Sequence, residues 1–443
     1  MTKDYLRRSM SAAVAGLALL VVAAGCGGND NNSSSSGSSS ASSGSTTTTS
    51  SSNKATGEPI RVMVSNALTG TSIVFPQNIE AVKATAAWIN DNGGINGRPL
   101  KVDVCDNQGN ANRSAACARQ AVANKDVAMV GSFSLFSDQI NKVLNQAKIA
   151  NWGLYPINAT DLTLPISFPF EGGPPSIVAE GVLAGQKCNK VATSNPDIPA
   201  SKFIQGLINA GLASQGKKPV AEVNIPTNVT DFSATAAKLV SSGADCVILG
   251  TTGALTNAFV PALKAAGSKQ TLIGSAGNSV GNETLKTLGD QLEGAYATGY
   301  LPPFEDPSLA EYRTIMNKYA DTKKYDMTFE AAMSNYVSTR AFADLLRGIK
   351  GDINHDTVLA AASKAKVNGL GIVPNLDFSK EFDVKGMNRL FNRDVYYTTV
   401  KDGKIVLAQP KPEDMSKPLG GSPMTVTTGA DAGTSTTGTT TTG

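Results

Sequence analysis

Apolar positions along the chain follow two different periods, which together predict an α/β fold. Ile60–Ser65 is a short apolar run typical of a buried strand, and the segment that ends at Trp88 has the spacing of an amphipathic helix. Leu100, Val102 and Val104 then alternate with polar residues or cysteine, which is the period of a strand. Strand, helix and strand in this order predict one βαβ unit, the opening of a doubly wound sheet.

The turns within this unit consist of residues suited to unusual backbone angles. Asn92, Gly93 and Gly94 suit the left-handed conformation at a helix C-terminus, where a Cβ costs free energy. Asn96-Gly97 followed by Pro99 predicts a second turn before the strand.

The alternation of strands and helices continues to about residue 300. Further strands are predicted at 127–130 and 150–155, and then at 190–193, 220–223, 246–250 and 271–274, with helices that include 111–125, 139–147, 201–210 and 232–242. Segments rich in Pro and Gly at 168–175 and 300–307 interrupt the pattern. Helices at 307–321, 328–348 and 357–366 and a terminal hairpin at 388–407 follow, the hairpin with an Asp402-Gly403 turn. The pattern predicts two sets of parallel, buried strands covered by helices.

One series of motifs resembles a known family. Ala-Leu-Thr-Gly at 67–70, a helix, Gly-Gly-Ile-Asn-Gly-Arg-Pro-Leu at 93–100 and a strand ending in Cys105-Asp106 occur in this order. The series resembles the leucine/isoleucine/valine-type (branched-chain amino acid) periplasmic solute-binding proteins of ABC transporters, in their lipoprotein form. The resemblance covers about four fifths of the chain, weakening toward residue 410.

The resemblance implies a fold and a function. The fold is the type I periplasmic-binding-protein fold: two doubly wound Rossmann-like α/β lobes joined by about three crossings. Lobe 1 would comprise residues 58–172 plus about 301–385, and lobe 2 would comprise 173–300 plus about 386–415. The function is the capture of a small solute between the lobes, an amino acid or a related molecule, and its delivery to an ABC permease. A ligand sensor with the same fold, signalling to a membrane partner, is the alternative.

The two ends of the chain are predicted to lie outside the fold. Lys3, Arg7 and Arg8 precede an apolar run, 11–25, that is too short to span a bilayer. Small residues directly before Cys26 resemble a lipobox, which predicts a signal peptide at 1–25 and lipidation of Cys26; an ordinary signal peptide with an incidental cysteine is the alternative. Residues 26–57, rich in Ser and Thr, predict a disordered tether, and 418–443 a disordered tail.

These features predict an extracytoplasmic protein anchored by lipid to the outer face of the cytoplasmic membrane, or a periplasmic lipoprotein. The net charge is +3, from 39 basic and 36 acidic residues, so no nucleic-acid partner is indicated.

The remaining four cysteines predict two disulfides, as their even number in an exported protein indicates. Of three possible pairings we favour Cys105–Cys117, within one strand–helix unit, and Cys188–Cys246, at the first and third strands of lobe 2. These strands are neighbours in a 2-1-3-4-5 sheet. The sequence contains no Cys-x-x-Cys motif, so we expect no metal site.

A ligand site is expected where the parallel strands end. In open α/β sheets ligands bind beyond the carboxyl ends of the strands, which selects loops 68–75, 131–138, 158–161, 195–200, 251–256 and 275–278. Each Ser or Thr there is also a plausible helix cap, and each Phe a plausible core residue. The candidate ligand-binding residues are Phe75, Ser132, Phe133, Ser134, Phe136, Asn158, Ala159, Thr160, Asp197, Thr251, Thr252, Ser275 and Asn278.

The resemblance implies roles for several of these loops. Amino-acid-binding members hold the carboxylate with a Ser/Thr-rich loop, here 132–137, and pack an aromatic residue, here Phe75, on the ligand. They hold the ammonium with an acidic residue after the fourth strand of lobe 2, where this chain has Ser275 to Asn278 and no carboxylate. The sequence thus favours a neutral or carboxylate-bearing ligand at least as much as an amino acid.

Enzymatic readings have little support. Gly277-Asn-Ser279-Val-Gly281 matches the G-x-S-x-G pattern, and His355 is the sole histidine, so a serine hydrolase is a remote alternative. No phosphate-binding glycine motif follows the first strand. We therefore expect a binding protein without cofactor.

Overall fold

The computed structural model describes residues 54–70, 74–198 and 201–422. The predicted signal peptide, the lipidation site at Cys26 and nearly all of the tether lie outside the described residues. In the described part of the chain, no helix combines the length and the apolar character needed to cross a bilayer.

Lobe 1 is built on a five-stranded parallel sheet in the order β2-β1-β3-β4-β5. Its strands are β1 (Ile60–Asn66), β2 (Leu100–Asp106), β3 (Ala128–Val130), β4 (Ala150–Trp152) and β5 (Ser167–Phe168). Its first helices are α1 (Pro76–Asp91), α2 (Ala111–Ala123), α3 (Ser137–Ala147) and α4 (Ala159–Thr163). The register of β1 on β2 runs from Ile60–Leu100 to Asn66–Asp106, so both strands end at one edge.

Lobe 2 is built on an eight-stranded sheet in the order β14-β13-β10-β9-β8-β6-β7, with β15 paired to β13. Its strands are β6 (Val191–Pro196), β7 (Ala221–Ile225), β8 (Cys246–Leu249), β9 (Thr271–Ser275), β10 (Tyr296–Gly299), β13 (Asp394–Lys401), β14 (Lys404–Leu407) and β15 (Glu413–Asp414). Its helices are α5 (Gly173–Lys187), α6 (Ser201–Ser214), α7 (Ser233–Ser241), α8 (Gly253–Ala265) and α9 (Asn282–Leu288). The strands β6 to β10 are parallel, β13 is antiparallel to β10, and β14 is antiparallel to β13.

The chain passes between the lobes three times, after β5, after β10 and before β13. Between the second and third passage it forms α10 (Ala310–Tyr319), α11 (Glu330–Gly348), α12 (His355–Ala362), β11 (Lys366–Val367) and β12 (Leu376–Asp377). The helices α10 and α11 pack on α1, and they share one hydrophobic core with the sheet of lobe 1. The two-lobed α/β fold predicted from the sequence is confirmed.

The core of lobe 1 centres on Trp152, which is fully buried at the end of β4. Its ring lies 5.2–5.8 Å from those of Phe168, Phe170, Phe342 and Phe378. Its indole N–H donates to a backbone carbonyl of α11 at 2.8 Å. Because these rings come from β5, from α11 and from the chain after β12, they fix the returning segment against the sheet.

Glycines allow α5 and α6 of lobe 2 to cross closely. A Cβ on Gly211 would lie 2.0 Å from the carbonyl oxygen of Val178, and one on Gly181 would lie 2.2 Å from that of Ile208. No side chain fits at such distances, so both positions require glycine. Helix α5 also packs on β8, β9, β10 and β13, so this crossing fixes α6 to the sheet of lobe 2.

The turns predicted from the sequence are confirmed except at Asn92, whose φ is −108° instead of positive, and several short strands were missed. Residues 93, 94, 96 and 97 all have positive φ, as do Asp402 and Gly403 in the hairpin turn. Four strands were predicted in each set. The missed strands include β5 and β10, which have two and four residues and lie beside Pro- or Gly-rich segments, and the two-residue strands β11, β12 and β15. Residues 418–422, assigned to the tail, instead bond to the body: Ser422 N–H donates to Asp383 at 2.8 Å.

Both favoured disulfides are present. Cys105 in β2 bonds Cys117 in α2 with a Cα–Cα distance of 5.6 Å. Cys188 at the end of α5 bonds Cys246 at the start of β8, with a Cα–Cα distance of 6.1 Å. The second bond closes a loop with a sequence separation of 58 residues. It therefore restricts much more of the unfolded chain than the first.

Candidate ligand-binding cleft

A cavity of about 660 Å³ lies between the two lobes. Lobe 1 contributes the end of the loop before α1 and the loops after β3 and β4, and lobe 2 contributes the loops after β8 and β9. The chain after β10 and the start of α11 complete the lining. This is the edge where the parallel strands of both sheets end, as the sequence analysis expected.

One wall of the cavity is a continuous series of aromatic rings. Phe75 stacks on Phe329 with centroids 5.1 Å apart and planes 16° apart, and it meets Phe133 edge-on at 5.1 Å. Phe133 contacts Tyr155 at 5.9 Å, and Tyr155 contacts Tyr300 at 6.4 Å. Four of these residues are only partly buried, so their rings offer apolar surface to a ligand.

Glu330, the first residue of α11, brings a carboxyl group to the cavity. Its Oε1 accepts hydrogen bonds from the backbone N–H groups of Tyr300 at 2.8 Å and Leu301 at 3.1 Å. The residue is 8% exposed, and burial together with the nearby Glu171 raises its pKa to about 8. This carboxyl is therefore mainly protonated at neutral pH.

Glu171 lies beneath the aromatic wall, in the first passage between lobes. Its Oε2 accepts a hydrogen bond from the Tyr300 hydroxyl at 2.8 Å, and the residue is 1% exposed. Burial raises its pKa to about 8, although the hydrogen bond from Tyr300 opposes this rise. Tyr300 thus connects Glu171 to Glu330, through its hydroxyl to one and its backbone N–H to the other.

Glycines of lobe 2 make room for the Glu330 carboxyl group. A Cβ on Gly299 would lie 2.5 Å from Oε1, and one on Gly277 would lie 3.1 Å from Oε2. The carboxyl of a lobe 1 helix therefore sits directly on the backbone of lobe 2. Any rotation of one lobe against the other must change this contact.

Five of the predicted site residues line the cavity. Phe75 and Phe133 lie on the aromatic wall, and Thr252, Ser275 and Asn278 lie on the side of lobe 2. Thr252 is also the N-cap of α8, where its side chain accepts from Leu255 N–H.

The predicted hydroxyl groups of lobe 1 do not reach the cavity, because neighbouring groups bond them. Ser132 Oγ accepts from Ser65 N–H at 3.0 Å, and Ser134 Oγ bonds Ser114 Oγ at 2.8 Å. Thr160 Oγ1 donates to Asp138 at 2.5 Å. The loop that the resemblance assigns to a ligand carboxylate is therefore closed on itself.

The other predicted residues also lie off the lining. Asn158 caps α4 and donates to Ser137 Oγ at 2.7 Å, and the adjacent Ala159 is exposed. Phe136 is 38% exposed at the start of α3. Thr251 is buried and bonds Thr256, and Asp197 is exposed after β6. Asn158 and Thr251 therefore have local structural roles, the first as a helix cap and the second in a bond within its own loop.

Sequence reasoning missed the acidic groups and two tyrosines of the site. Glu171, Tyr155, Tyr300 and Glu330 all lie outside the loops it selected. Glu171 and Tyr300 are in the segments set aside as crossings. An acidic residue embedded in an apolar stretch, such as Phe170-Glu171-Gly172, was the available signal.

The groups considered for catalysis and metal binding have structural roles. Ser279 is fully buried and donates to the carbonyl oxygens of Leu249 at 2.7 Å and Thr251 at 3.0 Å. His355 begins α12, which packs on β4 and α11 in lobe 1. A catalytic serine needs an exposed hydroxyl that is hydrogen-bonded to a general base, and Ser279 does not have this geometry.

One group of side chains resembles a metal site in its geometry. Atoms of Cys188, Asp245 and Cys246 approach within 4.8 Å of one another. Both sulfurs belong to the disulfide, and Asp245 accepts from the N–H groups of Asn189 and Lys190. The group therefore offers no thiolate to a metal.

Comparison with known proteins agrees with this architecture. Residues 59–404 match the family model described as periplasmic binding protein. A solute-binding protein of an ABC transporter from Rhodopseudomonas palustris, in complex with 4-hydroxybenzoate, is similar with a TM-score of 0.65 and 20% identity, covering 81% of this chain and 97% of that one. A possible leucine/isoleucine/valine-binding protein from Rhodopirellula baltica is similar with a TM-score of 0.65 and 15% identity, covering 80% and 96%.

A leucine-binding protein from Thermotoga maritima is also similar, with a TM-score of 0.62 and 14% identity, covering 79% of this chain and 98% of that one. No curated protein matches the chain. These identities are low enough that the likeness to solved structures concerns the fold alone. The family model, by contrast, spans well over half of the sequence. The chain therefore belongs to the periplasmic binding protein family.

Proposed function

We propose that the protein captures a small solute between its two lobes and delivers it to an ABC importer. The observation that supports this most directly is the cavity, whose lining comes from both lobes and from the crossing segments. Its volume of about 660 Å³ lies within the range of sites for small molecules. A ligand that contacts both lobes stabilises the closed arrangement, which is the form a permease can distinguish.

Membership of the family implies an extracytoplasmic location. We propose in addition that Cys26, after removal of residues 1–25, carries the lipid that holds the protein at the membrane. The lipobox-like sequence before Cys26 supports this. Replacement of Cys26 by Ala should release the protein from the membrane fraction, and retention there would contradict the proposal.

The cavity chemistry supports capture more than catalysis. Its lining combines aromatic rings with a carboxyl group whose pKa is raised by burial, and Ser279 is buried against backbone carbonyls. A hydrolase would need that hydroxyl exposed beside a base.

Capture is tested by recovering the solute. The purified protein is denatured and the released small molecules are identified by mass spectrometry, and each hit is returned to the protein in a thermal unfolding assay. A solute that binds only the folded state at a hundred times its dissociation constant adds about 2.7 kcal/mol. If no molecule is released and none from a broad panel raises the unfolding temperature, the proposal fails.

A matched pair of variants locates the binding. Phe133 and Phe136 lie on the same loop, but only Phe133 lines the cavity. Phe133→Ala should weaken binding of the recovered solute, and Phe136→Ala should leave it unchanged. Equal losses in both variants would place the solute elsewhere. Delivery is tested by uptake of labelled solute in cells with and without the gene, because a sensor would leave uptake unchanged.

A further inference from the structure

The charges that border the cavity are all negative. Its lining residues in the described ranges include Glu283, Asp326 and Glu330, and none of them is Lys, Arg or His. The undescribed residues nearest in sequence, Thr-Ser-Ile at 71–73 and Pro-Ala at 199–200, contain no cation either. Lys286 contacts Asp326 at 3.5 Å, but its side chain is 69% exposed. The lining therefore offers no cationic side chain to an anionic ligand.

The lobe 1 hydroxyl groups that the resemblance assigns to a ligand carboxylate are bonded to neighbouring groups. Ser132 and Ser134 are 4% and 3% exposed and bond to neighbouring groups, and Thr160 bonds Asp138. A ligand carboxylate placed beside this loop would lose its hydrating water without gaining hydrogen bonds from these hydroxyl groups.

Glu330 lines the cavity, and the described residues donate hydrogen bonds to only one of its two carboxyl oxygens. Its Oε1 accepts two backbone hydrogen bonds, whereas Oε2 accepts none from the described residues. Gly277 lies beside Oε2 without a side chain to cover it. Because Glu330 is only 8% exposed, its ionised carboxylate needs a cation or a hydrogen-bond donor beside it. Burial and the nearby Glu171 raise its pKa, as expected for a buried carboxyl that contacts no cationic side chain of the described residues.

The aromatic wall suits the same kind of partner. Phe75, Phe329 and Phe133 line the cavity together with Glu330. Aromatic faces attract cations, most strongly where water is excluded. We propose that the solute is an organic cation with an apolar body of aromatic size, whose ammonium group donates to Glu330 Oε2. This inference deepens the function proposed above and rests on it.

Two helix N-termini border the cavity and would favour a ligand with a negative charge, which the test must exclude. The cavity is bordered by the first residues of α8, Gly253 and Ala254, and of α9, Asn282 and Glu283. Helix N-termini favour anions, but Glu283 already supplies a negative charge at α9. The first turn of α8 contains no acidic residue, so a ligand that carries both an ammonium and a carboxylate is the competing possibility.

A charge series of one skeleton separates these ligands. Binding of phenethylamine, L-phenylalanine, 3-phenylpropionate and 2-phenylethanol is measured by isothermal titration calorimetry with the purified protein at one pH and ionic strength. We expect phenethylamine to bind most tightly, 2-phenylethanol more weakly and 3-phenylpropionate most weakly. Tighter binding of L-phenylalanine or of 3-phenylpropionate than of phenethylamine would overturn the inference.

Variants assign the effect to Glu330. Glu330→Gln retains an oxygen acceptor but not the charge, so phenethylamine should bind at least about tenfold more weakly while 2-phenylethanol is unaffected. The control is Glu305→Gln, which removes an exposed charge that does not line the cavity and should change phenethylamine affinity by less than about threefold. Equal effects of both variants would contradict the role of Glu330. If Glu330→Gln does not fold, the order of the four probes on the unaltered protein still decides.

The same titrations distinguish this inference from the proposed function. If the anionic or zwitterionic probe binds best, or if the solute recovered from the protein carries no cationic nitrogen, the inference fails and solute capture stands. If no probe binds and no solute is recovered, both fail.

Discussion

The buried acidic pair makes the stability of the protein depend on pH. Glu171 is 1% exposed, and its pKa is raised from 4.5 to about 8 by burial. Between these two values the folded protein holds a proton that the unfolded chain releases. The free energy of unfolding therefore falls as pH rises: the contribution of Glu171 is complete below its unfolded pKa and is lost above its folded pKa.

The magnitude follows from the size of this interval. Each unit of pKa difference corresponds to about 1.4 kcal/mol, so the interval from 4.5 to about 8 corresponds to about 5 kcal/mol for Glu171. Glutamine has nearly the same shape as protonated glutamic acid and does not ionise. We therefore expect Glu171→Gln to unfold with nearly the same free energy as the unaltered protein at pH 5. At pH 9 it should be more stable by several kcal/mol.

Urea unfolding of both proteins at pH 5, 6, 7, 8 and 9, without ligand, measures this difference. Glu311→Gln is the control with the opposite sign. Burial alone would raise the pKa of Glu311, but hydrogen bonds from Tyr336 and Arg340 lower it. Its contribution is complete above its unfolded pKa of 4.5 and is lost only below it, so the stability difference caused by Glu311→Gln should stay constant from pH 5 to pH 9. A stability difference between Glu171→Gln and the unaltered protein that does not change with pH would refute the assignment.

Three further predictions test the packing, the disulfide and the cation site. Gly211→Ala places a Cβ against a backbone carbonyl of α5 and should cost about 2 kcal/mol or more of unfolding free energy, whereas Gly206→Ala on the same helix meets nothing within 4 Å and should not destabilise. Replacing Cys188 and Cys246 by Ser should lower the unfolding free energy, measured by urea unfolding, by about 4 kcal/mol. The control is the unaltered protein after reduction. Phenethylamine should release close to one proton on binding at pH 6.5, because Glu330 must ionise; calorimetry in buffers of different ionisation enthalpy counts it, and zero release would contradict the site.

The regular elements were predictable because local patterns determine them. The alternation of Leu100, Val102 and Val104 predicted β2. The glycines after α1 predicted the end of that helix, because few residues other than glycine adopt a positive φ. The short strands β5 and β10 were not predictable in this way. Each has four or fewer residues, and pairing with a neighbouring strand rather than sequence pattern makes them strands.

The loops that border the cavity were predictable, but the residues within them were not. The rule that ligands bind beyond strand ends selected Phe75, Phe133 and Ser275, and these residues line the cavity. It could not tell that Ser134 would bond Ser114, twenty residues earlier in the chain. Whether a hydroxyl faces a ligand or a neighbour depends on such non-local contacts.

The acidic pair, Glu171 and Glu330, could not be predicted from the sequence for a similar reason. Tyr300 lies 129 residues from Glu171 and 30 from Glu330, and only the folded crossings bring the three together. The carboxylate that the resemblance implies after the fourth strand of lobe 2 is absent from the sequence. The structure places a carboxyl group beside that same loop, at Gly277, from α11 of the other lobe. A cation partner therefore exists, but on a different element from the one that the resemblance implied.

A crystal structure of the protein grown with phenethylamine tests the central claim most directly. The account predicts the ligand in the cavity between the lobes, with its nitrogen about 3 Å from Glu330 Oε2 and its ring against Phe75 and Phe329. An empty cavity at saturating ligand, or an amine bound outside it, would contradict the account.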